Sequence, residues 1–81
     1  MQVTVHFYSY CRELTGCDRI MEVVPEGSTV GLLLERVRDR FPRFAAMRDS
    51  VLVAVDVEYQ DRAYVLREGD EVSLFPPVQG G

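Results

Sequence analysis

There is no lysine in this sequence: all nine basic residues are arginine. Without an ε-amine the chain cannot accept an isopeptide bond on a side chain, although a role as the donor in such a bond stays open. Tryptophan is absent and histidine occurs once, as His6. Cysteine occurs only as Cys11 and Cys17. Two thiols are too few for a four-ligand zinc or iron–sulfur site, and their spacing matches no common redox motif. A ferredoxin-like cluster protein is excluded, and no metal is expected. The pair reads either as ordinary reduced thiols or as a turn-closing disulfide or reactive thiol.

Long apolar runs are missing too, and none approaches the length that spans a bilayer. The opening MQVTVHF alternates apolar and polar residues, unlike the apolar stretch of a signal peptide. A soluble cytoplasmic protein with no membrane partner is the expectation. Positive charge is scarce: 13 acidic residues against nine basic ones give a net charge of −4. Phosphate backbones are repelled by that balance, so nucleic acid is not an expected partner, whereas a protein with a basic surface is. There is no glycine-rich phosphate loop and no nucleophile–base pair, so any activation chemistry must come from a partner.

What is present suits one small domain. Eighty-one residues, 47% hydrophobic and 27% charged, fall in the globular range and outside the disordered one. A chain of this length buries roughly 60% of its unfolded surface, enough for a modest core but not for a roomy cofactor cavity.

QVTVHFYSY alternates Val3, Val5 and Phe7 against Thr4, His6 and Tyr8, the pattern of a half-buried strand. CRELTGCD then reads as a turn, and RIMEVV as the returning strand of an N-terminal hairpin. Either Met21 and Val23 or Ile20 and Val24 face the core; alternation does not choose between them. PEGSTVGLLLERVRDRFP carries the strongest signal. Ser28 or Thr29 offers an N-cap oxygen, Val30, Leu33, Leu34, Val37 and Phe41 form one helical stripe, and Pro42 marks the stop. Phe44 and Met47 in the following connection are expected to tuck under the domain. SVLVAVDV reads as a central strand with Val51, Val53, Val55 and Val57 on one face and Leu52, Ala54 and Asp56 on the other. A short hairpin or edge strand around Tyr59 follows, then a turn at Gly69-Asp70 and a last strand in which Val72 and Leu74 alternate with Ser73 and Phe75. The order ββαββ(β) predicts an α+β domain with one main helix on one face of a small mixed sheet.

If the helix covers the face bearing Val5, Phe7, Val55, Val72 and Leu74, the opposite face carries His6, Tyr8, Ala54 and Phe75, with Tyr59 close by. Such a convergence reads as a partner interface more readily than as isolated exposed aromatics. Asp56, Glu58, Asp61, Glu68, Asp70 and Glu71 crowd the C-terminal half, as turn chemistry or as groups that steer a basic partner.

The tail follows from its residues. Pro76 and Pro77 lack an N–H, stop the sheet ladder and extend the residues before them. Pro76 to Gly81 reach about 20 Å, at roughly 3.3 Å per residue. Gly80 and Gly81 lack a Cβ, so the tip is thin enough for a narrow channel. A domain over 1–75 and an extended tail over 76–81 are expected, with the Gly81 carboxylate as the working group.

HFYSYCRELTG, PEGSTVGLLLERV, VAVDVEY, REGDEVSLFPP and the closing VQGG resemble the molybdopterin synthase small subunits, the MoaD family of ubiquitin-like β-grasp sulfur carriers. The resemblance covers the whole chain, and RELTG and FPPVQGG are its most specific elements. A related carrier of the thiamin pathway shares the glycines but usually lacks FPP. The resemblance implies that an activating enzyme similar to ubiquitin activators adenylates Gly81 with ATP, and that sulfur from a donor protein converts it to a thiocarboxylate. The tail then enters the large synthase subunit and gives its sulfur to a cyclic pyranopterin precursor, forming the molybdopterin dithiolene. No cofactor is bound by the carrier itself. Gly80 and Gly81 become the reactive tip, Phe75, Pro76, Pro77 and Val78 its guide, and Tyr8 and Tyr59 partner contacts where the family commonly has plainer hydrophobes. Asp56 stands where asparagine is frequent. A ubiquitin-like protein modifier, a carrier for tRNA thiolation and a pure interaction module are the competing readings.

Overall fold

The computed structural model describes residues 1–77, apart from the side chain of Arg48. Its elements run β1 (Gln2–Phe7), α1 (Tyr10–Thr15), β2 (Arg19–Val23), α2 (Val30–Arg40), a 3-10 segment (Pro42–Ser50), β3 (Leu52–Val55), β4 (Glu58–Tyr59) and β5 (Glu71–Phe75). The strands lie in the order β2-β1-β5-β3-β4. β1 pairs with β5 in parallel, and every other pairing is antiparallel.

The α+β expectation holds, with corrections. CRELTGCD is not a bare turn. Tyr10–Thr15 form a short helix that buries Cys11 and Leu14 and ends at Gly16, whose φ of 71° closes the left-handed cap. The predicted central strand is β3, yet β5 occupies the middle of the sheet and β3 lies one place further out. Val57 does not share the core face of Val51, Val53 and Val55; it sits at the β3–β4 turn, 94% exposed. The chain reverses there at Asp56, with φ 57°, so strand alternation stops one residue earlier than the valine pattern suggests.

The open register of β2 is settled with Ile20 and Val24 inward and Met21 and Val23 outward. Glu22 shares the inward face, where Arg40 of α2 holds its carboxylate at 3.0 Å. Arg40 also donates to the Met21 carbonyl and Arg36 to that of Val23, each at 3.4 Å. These two arginines occupy acceptors on the outer side of an edge strand that would otherwise invite another chain.

α2 begins where the sequence places it. Thr29 is extended, and its Oγ1 accepts from the Leu32 N–H at 3.2 Å. Two further N–H groups of the first turn, on Val30 and Gly31, donate to the carbonyls of Tyr64 and Arg62. The loop before β5 thus caps the helix and ties it to the sheet. Val30, Leu33, Leu34 and Val37 then meet Val3, Val5, Val53, Val55, Val72 and Leu74 in one core, into which Phe44 and Met47 of the 3-10 segment also tuck. Phe7 lies edge-on to both Phe41 and Phe44, at 5.8 and 6.0 Å between centroids.

Ser9 joins β1 to α1 with φ 53° and ψ −126°, a conformation that glycine takes freely and a side chain does not. Ser9→Gly is expected to stabilise the domain by roughly 1 kcal/mol, raising Tm by about 4–8 °C. Calorimetry that finds Tm unchanged or lowered would remove the strain from this account.

Candidate functional site

Tyr8 continues β1 by one residue, its N–H donating to the Leu74 carbonyl at 3.1 Å. That bond keeps it in the pleat, so its ring projects from the face opposite α2. Phe75 ends the neighbouring strand on the same face, and the two rings stack at 4.8 Å with 10° between planes. Tyr59, from the two-residue β4, meets Phe75 edge-on at 6.4 Å. His6 stacks on Tyr8, also at 6.4 Å. Leu52, opposite Phe75 in the β3–β5 register, and the buried Ala54 fill in beneath. Tyr8 is 43% exposed and Tyr59 70%. An apolar patch of this kind, left open on a small domain, suits contact with another protein.

The patch has a charged rim. His6 Nε2 donates to Glu71 Oε1 at 2.6 Å, whereas Glu58, opposite Val55 in the β3–β4 register, is exposed on the other face of the sheet. Other acidic residues serve the fold. Asp61 accepts from the Ala63 N–H, Asp70 from the Arg67 N–H and Glu68 from the Gln2 N–H. The turn reading therefore applies to those three and to Asp56, whose Oδ1 accepts from the Glu71 N–H at 3.5 Å, and Glu71, held by His6, is the acidic group beside the patch.

Three of the named residues, Tyr8, Tyr59 and Phe75, are brought together. Pro76 and Pro77 follow directly, half-buried, at the edge of the patch. Val78, Gly80 and Gly81 lie outside the described residues. The cysteines are both free thiols. Cys11 is buried against Met47, Sγ to Sδ 3.6 Å, and loss of solvent pushes its pKa from 9.0 up to about 11. Because the fold favours the protonated thiol, its contribution is present below pH 9.0 and is lost as pH climbs towards 11. Such a thiol is a weak nucleophile at neutral pH. Among the described residues no group of three His, Cys, Asp or Glu gathers as metal ligands would, and no helix is long and apolar enough to cross a membrane.

The family model described as "ThiS family" matches residues 5–81. The molybdopterin synthase sulfur carrier subunit of Escherichia coli (strain K12) is 37% identical over 81 residues, spanning 98% of this chain and 99% of that protein. The chain belongs to the ThiS family, among the molybdopterin synthase sulfur carrier subunits. A putative molybdopterin converting factor subunit 1 from Pyrococcus furiosus superposes with a TM-score of 0.86 at 30% identity, over 95% of this chain and 98% of its own. SAMP1 from Haloferax volcanii superposes over the full length of both chains, TM-score 0.89, at 24% identity. At that identity the likeness speaks for the fold, the ubiquitin-like β-grasp of this sulfur-carrier family. In Helicobacter pylori, subunits 1 and 2 of molybdopterin-converting factor form a protein–protein complex; its match covers both chains fully, with a TM-score of 0.70 and 21% identity, and it too shows the fold.

Tyr10 and Leu52 join the surroundings of the tail only through the fold. Tyr10 was counted in the strand QVTVHFYSY, whereas β1 ends at Phe7 and Tyr10 opens α1. Leu52 was placed on the correct face but not joined to the patch, since only the β3–β5 register sets it against Phe75.

Proposed function

We propose that this protein is the sulfur-carrying subunit of a molybdopterin synthase, with the Gly81 carboxylate as its reacting group. The supporting observation is the junction at Phe75. The residue that anchors the aromatic patch is also the last before the prolines, so a partner docked on the patch is aligned with the tail. Pro76 and Pro77 give the ladder no N–H and direct the tail off the sheet.

In this reading an adenylating enzyme joins the Gly81 carboxylate to the AMP of ATP, releasing pyrophosphate. A persulfide on a donor protein attacks the acyl carbon and AMP leaves; a second thiol then attacks the resulting acyl disulfide, releasing the thiocarboxylate and leaving a disulfide on the donor. The large subunit takes the tail, and the thiocarboxylate sulfur passes to a pyranopterin precursor. The carrier's own part is to bind, orient and present; the partners supply the catalysis. Tyr8, Tyr59 and Phe75 dock, and Pro76, Pro77 and Val78 lead Gly80 and Gly81 into the channel. The sulfur is cargo, and no resident cofactor is required.

Purified protein incubated with ATP, an activating enzyme and a sulfur donor is expected to gain the mass of one oxygen-to-sulfur exchange, located at Gly81 by fragmentation of the terminal peptide. Sulfur found on Cys11 or Cys17 would overturn the mechanism. Covalent conjugates to other proteins in cell extracts, without dithiolene formation, would instead favour a protein modifier.

A further inference from the structure

A cleft of about 370 Å³ lies at the root of the tail, lined by Ser9, Tyr10, Ala46, Met47, Ser50, Pro76 and Pro77. Its walls belong to α1 and the 3-10 segment, which send Cys11 and Met47 into the core beneath α2's face of the sheet. It is therefore separate from the aromatic patch, which occupies the opposite face. We propose that this cleft receives an apolar side chain of the synthase large subunit, so that the carrier is held on both sides of its tail. The inference rests on the function proposed above and names a contact which that function does not require.

Its chemistry selects the occupant. Ala46, Met47, Pro76, Pro77 and the ring of Tyr10 present carbon, and among the described residues the lining includes no acidic or basic side chain. The Ser50 hydroxyl is already committed to the Met47 carbonyl. A phosphate or a charged side chain would find nothing there to neutralise it, whereas an aliphatic or aromatic side chain would find a soft wall in Met47 and rigid ones in the prolines.

Its position selects the partner. Gly81 is four residues beyond Pro77, about 13 Å when extended. A protein that encloses Gly81 must therefore stand close over the tail root. A stable interface takes about 800 Å² from each partner, a disc of about 16 Å radius, which reaches past the tail on either side. The aromatic patch occupies only one of those sides. A lasting subunit complex needs the fuller area, while a brief encounter with an activating enzyme does not. The two contacts also share one hinge. Ser9, in its positive-φ conformation, carries the chain from Tyr8 on the open face to Tyr10 on the rim of the cleft. Because Pro76 and Pro77 form a wall, filling the cleft also fixes the direction in which the tail departs.

Ala46 is exposed and outside the core, so a large side chain can be placed there without disturbing the fold. Ala46→Trp, which fills the cleft, is expected to weaken the Kd for the purified large subunit by roughly 10- to 30-fold in titration calorimetry. Ser50→Trp, filling it from another part of the wall, is expected to do the same, so a local distortion in one variant does not decide the outcome. Circular dichroism and Tm confirm that each is folded. Wild-type affinity in both folded variants overturns the inference. An equal loss of affinity for the activating enzyme overturns the assignment to the large subunit. Failure of the unmodified protein to bind any large subunit is a different result, and it overturns the proposed function itself.

Discussion

Deletion of Gly81 is expected to abolish sulfur transfer completely while leaving Tm unchanged. Every buried side chain among the described residues lies between Val3 and Leu74, so the shortened chain loses nothing that holds the domain together. What it loses is reach. The new terminal carboxylate, on Gly80, falls short by one residue, roughly 3.3 Å. In a site where a displacement of about 1 Å can cost 100-fold in rate, a gap of that size ends the reaction. Docking through Tyr8, Tyr59 and Phe75 should persist, so the variant should compete with the full chain for the large subunit. The measurements are thiocarboxylate by mass spectrometry and dithiolene formation with the large subunit present. Appreciable product from the shortened chain would mean that the position of the terminal carboxylate is not what the partners read.

The second large effect concerns stability. Phe7→Ala is expected to cost about 3–5 kcal/mol, because Phe7 is 2% exposed and packs edge-on against both Phe41 and Phe44. A domain of this length has about 4–12 kcal/mol in total. The variant should therefore unfold at far lower urea and lie partly unfolded at 37 °C. A loss below about 1 kcal/mol would show that α1 and the 3-10 segment can collapse into the space, a measure of their mobility. The neighbouring position, Tyr8, is on the opposite face and contributes no such packing.

Legibility in the sequence followed the length and regularity of each signal. The stripe Val30, Leu33, Leu34 and Val37, with Thr29 before it and Pro42 after it, specifies α2 because eleven residues allow three turns to repeat. α1 has six residues and only Cys11 and Leu14 inward, too few for a period to emerge. β2 was ambiguous because Ile20, Met21, Val23 and Val24 are all apolar; the register buries Ile20 and Val24, and Arg40 pairs with the Glu22 carboxylate that falls on the same face. The aromatic patch was legible because alternation in β1 and β5 assigns Tyr8 and Phe75 to one face. Their stacking was not, since it depends on β1 and β5 being adjacent and parallel across a separation of nearly the whole chain. The cleft at the tail root was illegible for the same reason: Ala46, Tyr10 and Pro77 meet only in three dimensions.

The place of β5 at the centre of the sheet has a consequence for biosynthesis. The sheet cannot close until the final strand has left the ribosome, because β1 and β3 do not pair with each other and both pair with β5. A nascent or prematurely terminated chain lacks its middle strand, so it exposes the apolar edges of two half-sheets and is a natural target for proteolysis. The tail is made immediately after that strand. Chains cut short before β5 therefore cannot fold and occupy a partner; only a cut after Phe75 leaves a domain that still docks.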